Sequence, residues 1–210
     1  MSAPRDALRP VLEEARSAGF LGPGPVEIHL DHAAGFAAAA EDALAYRPAN
    51  FVDLGSGGGV PGLVLALAWP DARGVLVEAG RRRCVFLSEA IRRIGAEHRV
   101  EVLERRAEEV GRDPEYREGF ELATARSFAP PAPTAEIAAG LVAVGGVLVV
   151  SEPPDPDPGR WPLPALAEVG FGPATIQVHG DAHYATIRKA TAAPDRIPRA
   201  VGRPAKRPLW

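Results

Sequence analysis

An α/β domain built on a mostly parallel sheet is the fold class this sequence predicts, and three observations carry that expectation. Apolar strand-like and helix-like segments alternate from residue 50 onward. A glycine-rich stretch, FVDLGSGGGVPG at 51–62, follows the first of those strands and opens a helix. Near the end, the runs ATIQVH and HYATIRKA are separated only by GDA, a hairpin signal that adds an antiparallel terminal pair.

The elements follow in order. Residues 5–19 and 33–46 carry helical patterns, the second rich in alanine, and GPGP at 22–25 parts them. Each is too small to hold a core alone, so residues 1–48 are expected to be an N-terminal helical lead-in. FVDL is then a strand and PGLVLALAW a helix. GVLVE is the second strand, followed by the helix RRRCVFLSEAIRRIG, which ends at Gly95. RVEVL, the short helix RAEEVG, the strand FELATA and the helix PTAEIAAGLVAV come next, then the strand GGVLVVSE. EPPDPDPGRWPLP has six prolines in thirteen residues and is a loop. LPALAEVG closes the helices before the terminal hairpin. Strand–helix repetition of this kind implies crossover units and parallel pairing. The expected division is a lead-in at 1–48, one domain at 49–190, and a basic C-terminal arm at 191–210 packed on that domain.

Bulk properties exclude several function classes. The 210 residues carry 24 basic and 27 acidic side chains, a formal net charge of -3, and 46% are hydrophobic. Nothing global demands an anionic partner. A single cysteine, Cys84, excludes an internal disulfide and a multi-cysteine metal site, and its setting in a helical apolar face makes it a core thiol. The longest apolar run, LVAVGGVLVV, is too short to span a bilayer, and the first twenty residues lack a signal-peptide core. A cytoplasmic protein with no membrane partner is expected. The HLDH segment offers His29, Asp31 and His32, but a metal would need a further ligand. Asp31 reads as a helix-lead cap beside partly packed histidines, with no catalytic role.

The glycine stretch lacks the lysine of a phosphate-cradling Walker loop. A dinucleotide fingerprint can be laid on Gly57, Gly59 and Gly62, but Pro61 then sits inside the turn. A third template, D-x-G-x-G-x-G, is met by Asp53, Gly55, Gly57 and Gly59. Its acid can join the hydrogen bonding around a methionine amine, and its glycines let backbone approach a ligand. That pattern is the mark of class I S-adenosylmethionine-dependent methyltransferases, with a Rossmann-like sheet. Glu78 ends the second strand, about 20 residues past the glycines, where an acid bonds ribose hydroxyls.

At this point the chain resembles one family, RsmG or GidB, the 16S ribosomal RNA guanine-N7 methyltransferases. VDLGSGGGVPGLVLAL is similar to its D-[IV]-G-S-G-x-G-x-P-G signature, including Pro61 and Gly62. ERRAEEV resembles its GRAE segment, LATARSFAP its V-[TS]-x-R-A-[VF]-A segment, and RIPRAVGRPAKRPLW its basic, proline-spaced tail. The resemblance implies S-adenosyl-L-methionine as cofactor, with Gly55, Val60, Ala107, Glu108 and Arg126 binding it. It also implies 16S rRNA or the small ribosomal subunit as partner. The chain departs from the family in lacking its W-N-x-x-[IV]-N-L-T lead-in and in having SEPPDPDP where a lysine–glycine pair usually follows the fifth strand.

The chemistry agrees with an acceptor that needs no base. Guanine N7 presents an in-plane lone pair and loses no proton, so positioning and water exclusion suffice. For RNA, residues 187–210 hold Arg188, Lys189, Arg196, Arg199, Arg203, Lys206 and Arg207 against one acid, Asp195. Four prolines and a terminal Leu–Trp pair describe an ordered arm whose arginines could meet phosphates, with Trp210 as its anchor. Nothing requires a dimer, so a monomer is expected. Two other readings stay open: the same cofactor with another RNA or a small molecule as acceptor, and a cofactor-binding protein without turnover.

Overall fold

The computed structural model describes residues 2–210; Met1, the first residue of the lead-in, lies outside them. Two helices open the chain, α1 (Ser2–Ser17) and α2 (Val26–Leu44). In α1, Leu8, Val11, Leu12 and Ala15 are buried, the spacing of one helical face turned to the core. Helix α2 begins well before the expected residue 33, directly after Pro25, whose φ of -63° and extended ψ of 143° place it at the N-cap. Leu30, Ala33 and Phe36 then continue one buried stripe through the HLDH segment. Asp31 is therefore no cap: it stands on the outer face of α2, where it pairs with Arg5 at 2.7 Å.

The remaining elements are β1 (Asn50–Leu54), α3 (Gly62–Ala68), β2 (Arg73–Glu78), α4 (Arg81–Arg93), β3 (Val100–Glu104) and α5 (Ala107–Val110). They continue with β4 (Phe120–Ala125), α6 (Pro131–Ala139), β5 (Val142–Glu152), α7 (Leu163–Glu168), β6 (Phe171–His179), β7 (Ala182–Lys189) and α8 (Arg203–Lys206). The proline-rich loop carries one 3-10 turn at Pro158–Arg160. One expectation fails here: α6 stops at Ala139, and the following LVAV belongs to β5, not to the helix. Val142 already pairs with Phe120, after which the register slips so that Leu122 faces Val147. Gly145, with φ of 90°, turns the bulge, a conformation that side chains with a Cβ rarely adopt.

The seven strands run in the order β3-β2-β1-β4-β5-β7-β6. All pairings are parallel except those of β7, which is antiparallel to both β5 and β6. Successive strand residues point to opposite faces, so Phe51 joins one core with α1, α2, α3 and α4, while Val52 and Leu54 join the other. The chain leaves β1 toward β2 and β3, then returns to place β4 on the other side. This reversal opens a crevice at the carboxyl ends of β1 and β4, the place where ligands bind in such sheets.

Residues 190–210 lie over the second core. Ala193 and Ile197 are buried there. Arg117 gathers the carbonyls of Ile197 (2.6 Å), Ala193 (3.2 Å) and Pro194 (3.2 Å). Two of the seven tail cations are spent inside the protein. Lys189 is buried against Glu118 at 2.9 Å, and Arg199 grips the fully buried Glu136 through Nε at 2.8 Å and Nη2 at 2.5 Å. Arg188 donates to the carbonyls of Gly145 and Ala43. Arg196, Arg203, Lys206 and Arg207 are exposed too, and among the described residues these four are not held by such contacts. Trp210 donates its indole N–H to the Arg160 carbonyl at 3.1 Å, which pins the tail to the proline-rich loop. Among the described residues, no helix is long and apolar enough to cross a membrane.

Candidate active site

Beyond Leu54 the glycine loop folds back on the end of β2. Gly55 and Ser56 both donate to the Val77 carbonyl, at 2.8 and 3.1 Å. Gly55 has φ of 66°, and a Cβ there would sit 2.7 Å from the Phe128 ring. Only glycine fits that backbone against that ring. Two cavities meet at this loop and share Gly55, Arg83 and Ser127 as common walls.

The first cavity, of about 310 Å³, runs over β2 and α5 and is lined by Glu78, Ala107, Glu108 and Phe128. Each acid there is held by backbone. Glu78 accepts from Gly57 N–H at 3.0 Å and Gly80 N–H at 2.8 Å, which fixes the loop to the β2–α4 turn. Glu108 accepts from Gly202 N–H at 2.9 Å, so the C-terminal arm forms part of the site, and Ala205 completes the wall. A carboxylate whose oxygens each accept one bond still offers lone pairs to a ligand hydroxyl or amine. Cys84 sits behind this wall: its S–H donates to the Glu78 carbonyl at 3.2 Å, and burial pushes its thiol up to about 11. It is a buried structural thiol rather than a nucleophile.

The second cavity, of about 330 Å³, lies between the loop and the segment joining α1 to α2. Phe20, Leu21, Gly57, Val60 and Arg126 line it. Among the described residues, Arg83 and Arg126 are the titratable groups on its wall, and neither can serve as a general base. Arg126 emerges from the end of β4 and donates from Nη2 to His29 Nδ1 at 2.6 Å. Its Nη1 is buried without a hydrogen-bond partner. Phe20 is held in place by an edge contact to Phe86, ring centroids 5.6 Å apart, and by the guanidinium of Arg82 at 5.8 Å.

The cleft thus gathers Gly55, Gly57, Val60, Glu78, Ala107, Glu108 and Arg126 of the sequence-derived set. Asp53 and Gly59 are not on its walls. Gly59 packs against Leu63 and Leu87 beneath the loop. Asp53 is fully buried: Gly62 N–H donates to its Oδ2 at 3.2 Å, and the Thr124 hydroxyl donates to its Oδ1 at 2.8 Å. Its carboxyl is a latch that ties the far end of the loop to β1 and β4, not a group free for a methionine amine. Burial raises it to about 6, against the opposing pull of those hydrogen bonds.

Sequence reasoning missed five contributors. His29 was given no role, and it holds Arg126. Phe20 and Leu21 carried no motif, because a loop residue's position over a distant strand leaves no local pattern. Ser127 and Phe128 lay beside a noticed arginine without a signal of their own. The HLDH residues form no metal cluster among the described residues.

The site's elements fit an adenosyl donor. A small-residue loop, an acid ending β2 and an Ala–Glu pair opening α5 line one cavity, and a buried, half-partnered cation faces the next. Comparison with known proteins agrees. The sequence profile of the GidB family, rRNA small subunit methyltransferase G, matches residues 28–152. Ribosomal RNA small subunit methyltransferase G of Synechococcus sp. (strain RCC307) is 35% identical over 170 residues, covering 78% of this chain and 72% of that protein. The same enzyme of Moorella thermoacetica is 34% identical, covering 77% and 70%. Among solved structures, the O-methyltransferase from Bacillus cereus in complex with SAH superposes with a TM-score of 0.60 at 17% identity, covering 88% and 91%. That likeness concerns the fold, which is that of the class I methyltransferases. The sequence profile and the relatives carry the narrower conclusion: the chain belongs to the GidB family of rRNA small subunit methyltransferases G.

Proposed function

We propose that this protein transfers a methyl group from S-adenosyl-L-methionine to N7 of a guanine in 16S rRNA of the small ribosomal subunit. The observation that carries the reading is the pair of cavities meeting at Gly55 and Ser127, one rimmed by pinned acids and the other lined, among the described residues, by no carboxylate or histidine. When bound, the cofactor supplies an electrophilic methyl group on a sulfonium. The chain's own residues hold and orient. Glu78 takes the ribose hydroxyls, Ala107 and Glu108 flank the adenine, and Gly55, Gly57, Val60 and Arg126 receive the methionyl end. Asp53 acts beneath, keeping the loop in shape. The base-free second cavity suits an acceptor with a ready lone pair, whereas a hydroxyl acceptor would call for a proton acceptor on the wall.

The RNA would be gathered by the exposed Arg196, Arg203, Lys206 and Arg207 of the arm, which runs past the rim of the cofactor cavity at Ala205. The lead-in, residues 1–48, supplies the outer wall of the acceptor side. The protein acts as a cytoplasmic monomer in this reading. Calorimetry with S-adenosylmethionine followed by methylation of unmethylated 30S subunits tests it. Label in a single 16S guanine, removed by N7-specific strand scission, is the expected result. No cofactor binding at high micromolar concentration would sink the reading. Binding with label only in another RNA or in a small-molecule extract would move the acceptor elsewhere.

A further inference from the structure

Arg126 is the least ordinarily partnered charge in the cleft. A buried guanidinium is normally met by a carboxylate, and among the described residues none forms an ion pair with it. Asp53 feels its field but spends both oxygens on Gly62 and Thr124. The hydrogen bond from Nη2 to His29 Nδ1 fixes one edge of the fork, and the unpartnered Nη1 is left at the other.

This contact determines the state of His29. A guanidinium has five donors, no acceptor and no accessible deprotonation, so Nδ1 must offer its lone pair. The ring proton is then on Nε2, which lies 3.2 Å from the Gly22 carbonyl, an acceptor. Helix α2 fixes the backbone of His29 and the α1–α2 loop fixes its outer nitrogen. The imidazole thereby acts as a bracket between the lead-in and the end of β4.

We propose that His29 is a positioning residue for the cofactor: in its neutral Nε2–H form it aims Arg126 into the cleft, and its protonation releases that arginine. The inference rests on the proposed reading of Arg126 as a receiver of the methionyl end. A protonated His29 would have no lone pair for Nη2 and would set a second cation beside a buried one. The groups that face His29 from the elements around it are Arg126 just past β4, Arg16 on α1, and the carbonyls of Gly22 and Pro23 in the loop. His32 is its neighbour on α2, while Asp53 and Tyr184 face Arg126 from behind. Burial and the Arg126 charge hold His29 below the ordinary histidine value of 6.5, so the neutral form prevails at physiological pH.

The sign follows directly. The neutral form binds, so affinity is full above the His29 pKa and falls as pH drops through it. Below that point apparent affinity scales with the neutral fraction, about tenfold per pH unit. The test measures cofactor affinity calorimetrically from pH 8 to pH 5 for the wild type, H29N and H29L, with turnover on 30S subunits as a second readout. Asparagine places an oxygen acceptor where Nδ1 stood and cannot titrate; leucine keeps bulk and removes the acceptor. The expected result is an acid-side loss of affinity in the wild type, a flat profile in H29N within about threefold of wild type at pH 8, and a loss of about 10- to 100-fold in H29L at every pH. Should H29L not fold, the comparison of wild type with H29N decides alone. An acid limb that persists in H29N, or an H29L that binds like the wild type, overturns the inference. Wild type that binds no cofactor at any pH overturns the reading of the cleft itself, and this inference with it.

Discussion

The two halves of the cleft are made by different means. On the proposed cofactor side, both acids lie within a few residues of a strand's carboxyl end and are pinned by backbone N–H groups: Glu78 by the neighbouring Gly57 and Gly80, Glu108 by Gly202 of the C-terminal arm. On the proposed acceptor side, the wall comes from far away in sequence: Phe20 and Leu21 of the lead-in face the loop and Arg126, which His29 holds from outside the wall. The first half is fixed by backbone N–H groups that hold its acids, those of Glu78 at the sheet edge and that of Glu108 on the arm. The second is a junction, and its shape depends on how the lead-in helices seat.

Four measurements can break or sharpen that contrast. The largest effect concerns the latch beneath both halves. Asp53 titrates near 6 when folded and near 3.8 when unfolded. Ionisation therefore opposes folding: the stabilising contribution is complete below pH 3.8 and is lost as pH rises through 6. Denaturation of the wild type should show a loss on the order of 3 kcal/mol over that window from this group. Asp53→Asn keeps an oxygen acceptor for Gly62 N–H, turns an amide N–H toward the Thr124 hydroxyl, which then accepts, and cannot titrate, so it should flatten the profile. An unchanged slope in D53N would show that the carboxyl is not the titrating group.

Gly57→Leu places a side chain at φ of 54° on the loop's ligand face, with no atom closer than 3.6 Å to its Cβ. Cofactor affinity should fall about 100-fold while the domain stays folded at a cost of about 1–2 kcal/mol for the left-handed backbone. Retained affinity would mean the loop is not the cradle. Glu78→Ala removes the carboxylate that accepts from two backbone N–H groups and is the proposed ribose partner, so cofactor affinity should drop about 30-fold, the loss of one charged hydrogen-bonding group. Equal damage to 30S affinity with no change in cofactor binding would exchange the roles of the two cavities. Phe20→Ala should do the reverse, raising KM for 30S subunits about tenfold, the value of one aromatic contact to a base, with cofactor affinity unmoved. If calorimetry instead finds the cofactor weakened by F20A, the halves are not separable.

Legibility in the sequence divides along the same line. Strands buried on both faces read as short apolar runs, and the loop, Glu78 and the Ala107–Glu108 pair sit at fixed offsets from them, so local pattern sufficed. The start of α2 was placed too late because HLDH looks polar in a linear reading, although Leu30 and Ala33 lie on its buried stripe. LVAV was assigned to a helix because an apolar run before glycines has no periodicity of its own; the bulge at Gly145 that makes it a strand exists only through pairing with β4. Asp53 fitted a motif, yet its side-chain direction is set by Thr124 on another strand. The tail's charges were all visible, but which were spent on Glu118 and Glu136 depended on contacts across the second core.

The bond from Gly202 to Glu108 has one more consequence. The same acid that lines the cofactor cavity also fastens the arm, and Ala205 on that arm is a wall of the cavity. Occupancy of the cavity and order of the arm are then thermodynamically reciprocal: whatever one adds to the other is returned in full. Exposed Arg196 and Lys206 are trypsin sites within that arm, whereas Arg203 and Arg207 each precede a proline and resist cleavage. Their cleavage should slow as cofactor is titrated in, making the tail a built-in reporter of whether the enzyme is charged for its RNA.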